Sequence, residues 1–221
     1  MLRTLALLSL LAALTACGGS TEAPFPEGVA PWTANTAPAP APLPDEPYPE
    51  VLSTVSGEDA DGHWIHARGY LHADAATVWT GLQDPAVMAD RRGVDSWAPR
   101  WDVEPGFDVS VAIDNVVNDV ITLSWTNTWR QSLVDGDADK PVLIGARYQK
   151  TDGSSLIALL RGSVVLRQTD QLNRTEIELM EQLSAPLVTD DDLRCYQQDL
   201  FDELALAARG EPLPEYAGSC R

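Results

Sequence analysis

Basic residues are scarce in this chain. Fifteen Lys and Arg stand against 33 Asp and Glu, for a formal charge of −18. None of the fifteen lies between Thr4 and Ala67. So acidic a surface cannot displace the counterions of a nucleic acid, nor adsorb by charge on anionic head groups. Histidine is sparse as well, with only His63, His66 and His72. On a strand, His63 and His66 point to opposite faces and His66 to His72 spans about 20 Å, whereas a zinc site gathers its ligands at about 2 Å. These read as surface histidines, and no metal site is expected. Asp135-Gly136-Asp137-Ala138-Asp139 opens like a calcium loop, but Lys140 and Ala146 occupy the places of its glycine and glutamate. It reads as an exposed hairpin tip. Also missing are a Gly-x-Ser-x-Gly elbow, a Gly-x-x-x-x-Gly-Lys phosphate loop and a cysteine free beside a histidine. No catalytic residue and no cofactor is assigned on this basis.

What is present begins at the N-terminus. Arg3 precedes an almost wholly apolar run from Leu5 to Leu14, too short to cross a bilayer as a helix. Small residues Ala16, Gly18 and Gly19 surround Cys17. A charged start, a short apolar core and a small-residue site make a secretory signal over residues 1–16. The ending Leu14-Thr15-Ala16-Cys17 resembles the lipobox of bacterial lipoproteins. The resemblance implies cleavage before Cys17, acyl chains on that residue, and a place in the cell envelope. Gly18 in place of an aspartate resembles the pattern of lipoproteins that proceed to the outer membrane. Each buried CH₂ of such an anchor contributes about 0.8 kcal/mol, and two or more chains hold firmly. Export also bears on Cys195 and Cys220, which would then meet an oxidising space where pairing is expected. Residues 211–219 are long enough to fold back along a helix that starts near Cys195. The alternative is two free thiols.

Nine of the sixteen prolines fall between Gly18 and Ala60, including the alternating Ala-Pro run of 37–44. Alternating proline favours an extended path and denies ladder hydrogen bonds. With one-signed charge and low hydrophobicity, residues 17–60 read as a disordered acidic tether. Phe25 and Trp32 read as solvated tether aromatics, the alternative being that they dock on the domain.

The domain is placed at 61–210, with 211–221 as a tail. His63 to Leu71 alternates like a strand. Asp74 caps a short helix through Leu82, and Asp84-Pro85 starts a second through Asp90. From Trp101 the apolar period is two. Val120 to Arg130 puts Trp125, Asn127 and Trp129 on one face, and Val142 to Gln149 does the same for Ile144, Ala146 and Tyr148. Further strands at 155–168 and 175–183 alternate likewise, with Leu160 in phase in the first, and with Ile177 and Leu179 opposite Glu176 and Glu178 in the second. Gly- and Asp-containing turns between them predict consecutive antiparallel hairpins. Thr189 caps a last helix over 190–209, with Leu193, Tyr196, Leu200 and Leu204 at helical spacing.

The order of these elements, with Ala73-Asp74-Ala75-Ala76-Thr77-Val78-Trp79-Thr80-Gly81-Leu82-Gln83-Asp84-Pro85 as its opening motif, resembles the SRPBCC superfamily. That group includes START domains, polyketide cyclases and pollen-allergen-type carriers. The resemblance implies an α+β helix-grip fold: a curved antiparallel sheet wrapped around the long C-terminal helix, with an apolar cavity between. It implies a lining of Trp125, Trp129, Tyr148, Leu160, Tyr196, Leu200 and Leu204. Trp125 and Trp129 could grip a flat apolar ligand or simply fill a core. Arg147 and Arg161 fall on the opposite face and read as solvated. A monomeric, membrane-tethered module that binds a lipid or other apolar small molecule is the first reading. A cyclase- or dehydratase-like enzyme, which needs an ionisable group in the cavity, is one alternative. A structural or partner-binding lipoprotein with a filled core is another.

Overall fold

Strand alternation decides the two faces of this molecule. In a computed structural model, residues 23–118, 121–216, 218 and 220 are described. The signal, Cys17 and the start of the tether lie outside them. Eight strands form one sheet: β1 (Leu52–Asp59), β2 (Gly62–Leu71), β3 (Ser96–Trp101), β4 (Val109–Asn118), β5 (Thr122–Asp137), β6 (Lys140–Gly153), β7 (Leu159–Gln168) and β8 (Thr175–Ser184). Their order is β1-β2-β8-β7-β6-β5-β4-β3, and every neighbouring pair is antiparallel. The sheet is curved.

Between β2 and β3 run α1 (Ala75–Leu82) and α2 (Pro85–Met88). Asp74 caps α1 by accepting from the Thr77 N–H at 2.9 Å, and Asp84 caps α2 by accepting from Ala86 at 2.8 Å. Pro85 opens α2, where its missing N–H leaves no bond unmade. The last element, α3 (Asp190–Ala208), starts in a reciprocal Thr189–Asp192 capping box and packs against β1, β2, α1 and α2. Gly81 allows the closest approach of α1 to α3, since a Cβ there would lie 3.1 Å from that of Ala207.

Residues of one parity on each strand, such as Ala67, Ile144, Val164, Ile177 and Leu179, join Leu204 and Phe201 of α3 in the main core. A smaller cluster of Ile65, Ile157, Leu183 and Leu193 sits toward the start of α3. A buried amide links helix to sheet: Trp79 Nε1 donates to Gln131 Oε1 at 2.9 Å, and Gln131 Nε2 donates to the Leu82 carbonyl at 3.0 Å.

Several expectations are corrected at the N-terminal side. The boundary at 61 bisects a hairpin, because Asp59 pairs with Gly62 across the two-residue turn Ala60-Asp61 and β1 precedes it. Gly62 has φ +120°, and a Cβ there would meet the Leu183 carbonyl at 2.6 Å. Nor are residues 23–51 a free tether, for they lie across the outer face of the sheet. Val29 is fully buried, and Phe25 lies over Gly145. Asn35 Nδ2 donates to the carbonyls of Ala67 and Leu179 at 2.9 and 3.1 Å. Trp32 is docked: its indole N–H donates to the Gly162 carbonyl at 3.0 Å, and the Arg147 guanidinium lies 3.3 Å above its ring. The strand arginines are therefore covered by an aromatic plane, an attraction worth about 1 kcal/mol or more when desolvated. His66 is likewise no surface histidine. It is buried beneath this segment, taking the Thr36 N–H on Nδ1 at 3.1 Å, and burial pushes its pKa down. Proline explains how so polar a stretch orders, because its fixed φ leaves little backbone entropy to lose.

Candidate functional site

Between the inner face of the sheet and α3 lies a cavity of about 380 Å³. Residues of both core clusters border it, Trp129 and Tyr148 from the larger, Ile157 and Leu183 from the smaller. Trp125, Trp129, Tyr148, Leu160, Tyr196 and Leu200 line it. Leu204, expected among them, does not. One turn further along α3, it is fully buried in the main core beside Gly81 of α1.

A single cross-strand row builds the polar end of the cavity. Trp129 pairs with Tyr148, Tyr148 with Gly162, and Gly162 with Glu181. These four positions face inward across four adjacent strands. Because Gly162 has no side chain, the Tyr148 ring lies over it; a Cβ there would fall 2.1 Å from Tyr148 Cζ. The phenol thus reaches across β7, and its hydroxyl donates to Glu181 Oε2. From α3, Gln197 Nε2 donates to the same oxygen at 3.1 Å. On the other side, Trp129 stacks on Tyr148 with ring centroids 4.2 Å apart.

Glu181 is 8% exposed, and burial, with Asp90 adding to it, pushes its carboxyl up to about 7 against the pull of Tyr148 and Gln197. Burial and the charge of Glu181 push the Tyr148 phenol up as well. Asp90, just after α2, is exposed at the rim of the cavity, and its Oδ1 accepts the Gly93 N–H at 2.9 Å within its own turn. A buried carboxyl such as that of Glu181 can both take and give a proton near neutrality, given a bound molecule with a proton to exchange.

The rim is held by ion pairs. Arg91 bonds Glu203 at 2.7 Å, and Arg92 holds both oxygens of Asp199 at 2.5 and 2.9 Å. The C-terminal tail folds back along α3 to cover them. Its Pro214 carbonyl accepts from Arg91 at 2.9 Å, and the Tyr216 ring lies 4.0 Å from the Arg92 guanidinium. A disulfide between Cys195 and Cys220 pins this tail. Among the described residues, the one grouping of possible metal ligands is these two cysteines with Asp199, and the two sulfurs are bonded to each other.

Sequence reasoning missed Glu181, Asp90 and Gln197. The first was within reach, because Glu181 continues the inward parity of Ile177 and Leu179. Gln197 lies on the buried stripe of α3 between Leu193 and Phe201. Asp90 follows α2 and had no periodic signal.

No protein-family model and no curated protein sequence matches the chain. Solved structures do. Human StAR-related lipid transfer protein 5 superposes with a TM-score of 0.50 at 8% identity, covering 73% of this chain and 85% of that one. The human StarD13 lipid transfer and protein localization domain gives 0.47 at 7% identity over 74% and 85%. The Zhui aromatase/cyclase from Streptomyces sp. R1128 gives 0.41 at 15% over 72% and 93%. At these identities the likeness is one of fold. The architecture, a curved antiparallel sheet with a long C-terminal helix packed across it, is the helix-grip fold.

Proposed function

Starting from a helix-grip domain with a lined internal space, we propose that this protein is an envelope lipoprotein that shelters an apolar small molecule. The observation that carries the reading is the cavity itself, about 380 Å³ bounded by Trp125, Trp129, Leu160 and Leu200. Burial in such a space removes an apolar ligand from water at about 25 cal/mol per Å². A protein of like fold, human StAR-related lipid transfer protein 5, is named for lipid transfer, which agrees with a carrier role. A filled-core structural lipoprotein fits this space poorly.

Attachment is proposed through acyl chains on Cys17, with Gly18 favouring the outer membrane. No described helix is long and apolar enough to cross a membrane. Residues 18–22 separate Cys17 from the first described residue, Ala23, a reach of about 20 Å at full extension. The domain would therefore ride close to the bilayer.

The test is mass spectrometry of an organic extract from natively purified protein, with labelled palmitate fed to the expressing cells. One apolar compound per chain, and label lost in Cys17→Ser, are the expected results. An empty extract from protein that also refuses added apolar ligands would refute the carrier reading.

One observation favours a second reading, an acid–base enzyme of the cyclase or dehydratase kind. Glu181 sits in the cavity with a proton affinity near neutrality, bonded to Tyr148. On that reading Glu181→Gln keeps ligand binding and abolishes turnover.

A further inference from the structure

The cavity wall carries more acid than its bases can neutralise. Asp90, Glu181, Asp199 and Glu203 line it, with Arg91 and Arg92. Glu203 takes Arg91 and Asp199 takes Arg92. Arg92 exerts a weak further pull on Asp90, but among the described residues Glu181 has no cation beside it, only Tyr148 and Gln197 as donors. Glu181 is thus left as a buried carboxyl without an ion pair, while Asp90 lies exposed at the rim.

The neighbouring groups add two unpaired acceptors and three aromatic faces. Gln197 is 2% exposed and its Oε1 has no partner; Asn127 Oδ1 is also buried and unpartnered. Both are acceptors awaiting a donor, and both side chains line the cavity. The indoles of Trp125 and Trp129 and the phenol ring of Tyr148 offer π-faces, which attract cations and repel anions. The unpaired indole N–H groups of Trp125 and Trp129 are donors and take no part in holding a cation.

We propose that the cavity takes a protonated amine on an apolar body, its ammonium held by Glu181. This rests on the cavity being a ligand site. An ammonium supplies the positive charge that Glu181 has no partner for, and N–H donors for the two amide oxygens. An anionic lipid head or a fatty carboxylate would meet the unneutralised Glu181 carboxyl in low dielectric. A neutral alcohol could hydrogen-bond but would leave that charge uncompensated.

The titratable groups around Glu181 in the cavity wall are Tyr148 on β6, Tyr196, Asp199 and Glu203 on α3, Asp90, Arg91 and Arg92 after α2, and Tyr216 from the tail. Asp199 and Glu203 each hold an arginine, whereas Glu181 holds none. Protonating Glu181 removes the counter-charge, and amine affinity falls on acidification.

Calorimetric titration of the purified full chain with decylamine, decanol and decanoate tests this. Near pH 8, decylamine should bind roughly tenfold tighter than decanol, with decanoate weakest, and the amine's advantage should shrink near pH 5. The Glu181→Gln variant should lose the preference for amine over decanol, and a preference kept in that variant would overturn the assignment. If decanol or decanoate equals decylamine on the wild type near pH 8, the amine assignment falls while the cavity reading stands. If none of the three binds, the cavity reading itself falls.

Discussion

The residue on which the polar end of the cavity turns is a glycine. Gly162 lets Tyr148 cross β7 to meet Glu181, and its carbonyl holds Trp32 on the other face of the sheet. Gly162→Ala would drive a methyl into the Tyr148 ring. We expect it to destabilise the fold by about 2 kcal/mol or more, as overpacking does. Chemical denaturation measures this; an unchanged midpoint would mean the ring has room to move. Glu181 makes the complementary prediction. Its carboxyl is raised to about 7 in the folded chain against 4.5 unfolded. The folded form therefore holds its proton longer, so the stability Glu181 contributes is fully present below pH 4.5 and lost as pH rises through 7. Glu181→Gln keeps one acceptor oxygen and carries no charge. Relative to wild type it should gain about 3 kcal/mol on moving from pH 4.5 to pH 8, at about 1.4 kcal/mol per pKa unit. Thermal melts of both proteins across that range decide it, and parallel curves would contradict a buried, late-ionising carboxyl.

At the scale of elements, the two ends of the chain do the least expected things. The inner parity of β5, β6 and β7 was legible because Trp125, Trp129, Tyr148 and Leu160 alternate with polar residues. The caps Asp74, Asp84 and Thr189 were legible because their chemistry is local. β1 was not, since Leu52-Ser-Thr-Val55-Ser-Gly57 is too polar and too close to the prolines to announce a strand. Only the pairing partner β2 supplies its bonds. The order in residues 23–51 was hidden for a related reason. Its partners, His66, Gly162, Ala67 and Leu179, are distant in sequence and present their polar atoms only once the sheet exists. On α3, the apolar pattern concealed that the buried stripe carries Gln197 and Glu203. At the other end, the Cys195–Cys220 bond holds the tail whose Tyr216 covers the rim arginines. Cys195→Ser with Cys220→Ser should lower stability by about 3 kcal/mol on the loop-closure model. It should also speed ligand exchange, because Tyr216 is no longer tethered. Stopped-flow release of a bound dye measures the second effect; unchanged release would show that the tail does not guard the opening.

On the scale of the whole molecule, charge and geometry point one way. A chain of net charge −18 has no electrostatic attraction to anionic membranes, so a lipid on Cys17 would have to supply the attachment. The outer face of the sheet is occupied by the chain's own N-terminal segment. The inner face is partly empty, and the emptiness lies between two core clusters that Leu160 adjoins on both sides. A protein that needed only stability would gain by filling that space, since voids forfeit contacts. Retaining it makes sense if a ligand completes the core.

The most direct measurement is stoichiometric binding of a neutral apolar dye, Nile red, to the wild type and to Leu160→Trp, which puts an indole into the space. One equivalent bound by the wild type, affinity lowered roughly tenfold or more in the variant, and an unchanged melting temperature are the outcomes expected for a ligand held between sheet and α3. Equal binding by both proteins, or none by either, would contradict it.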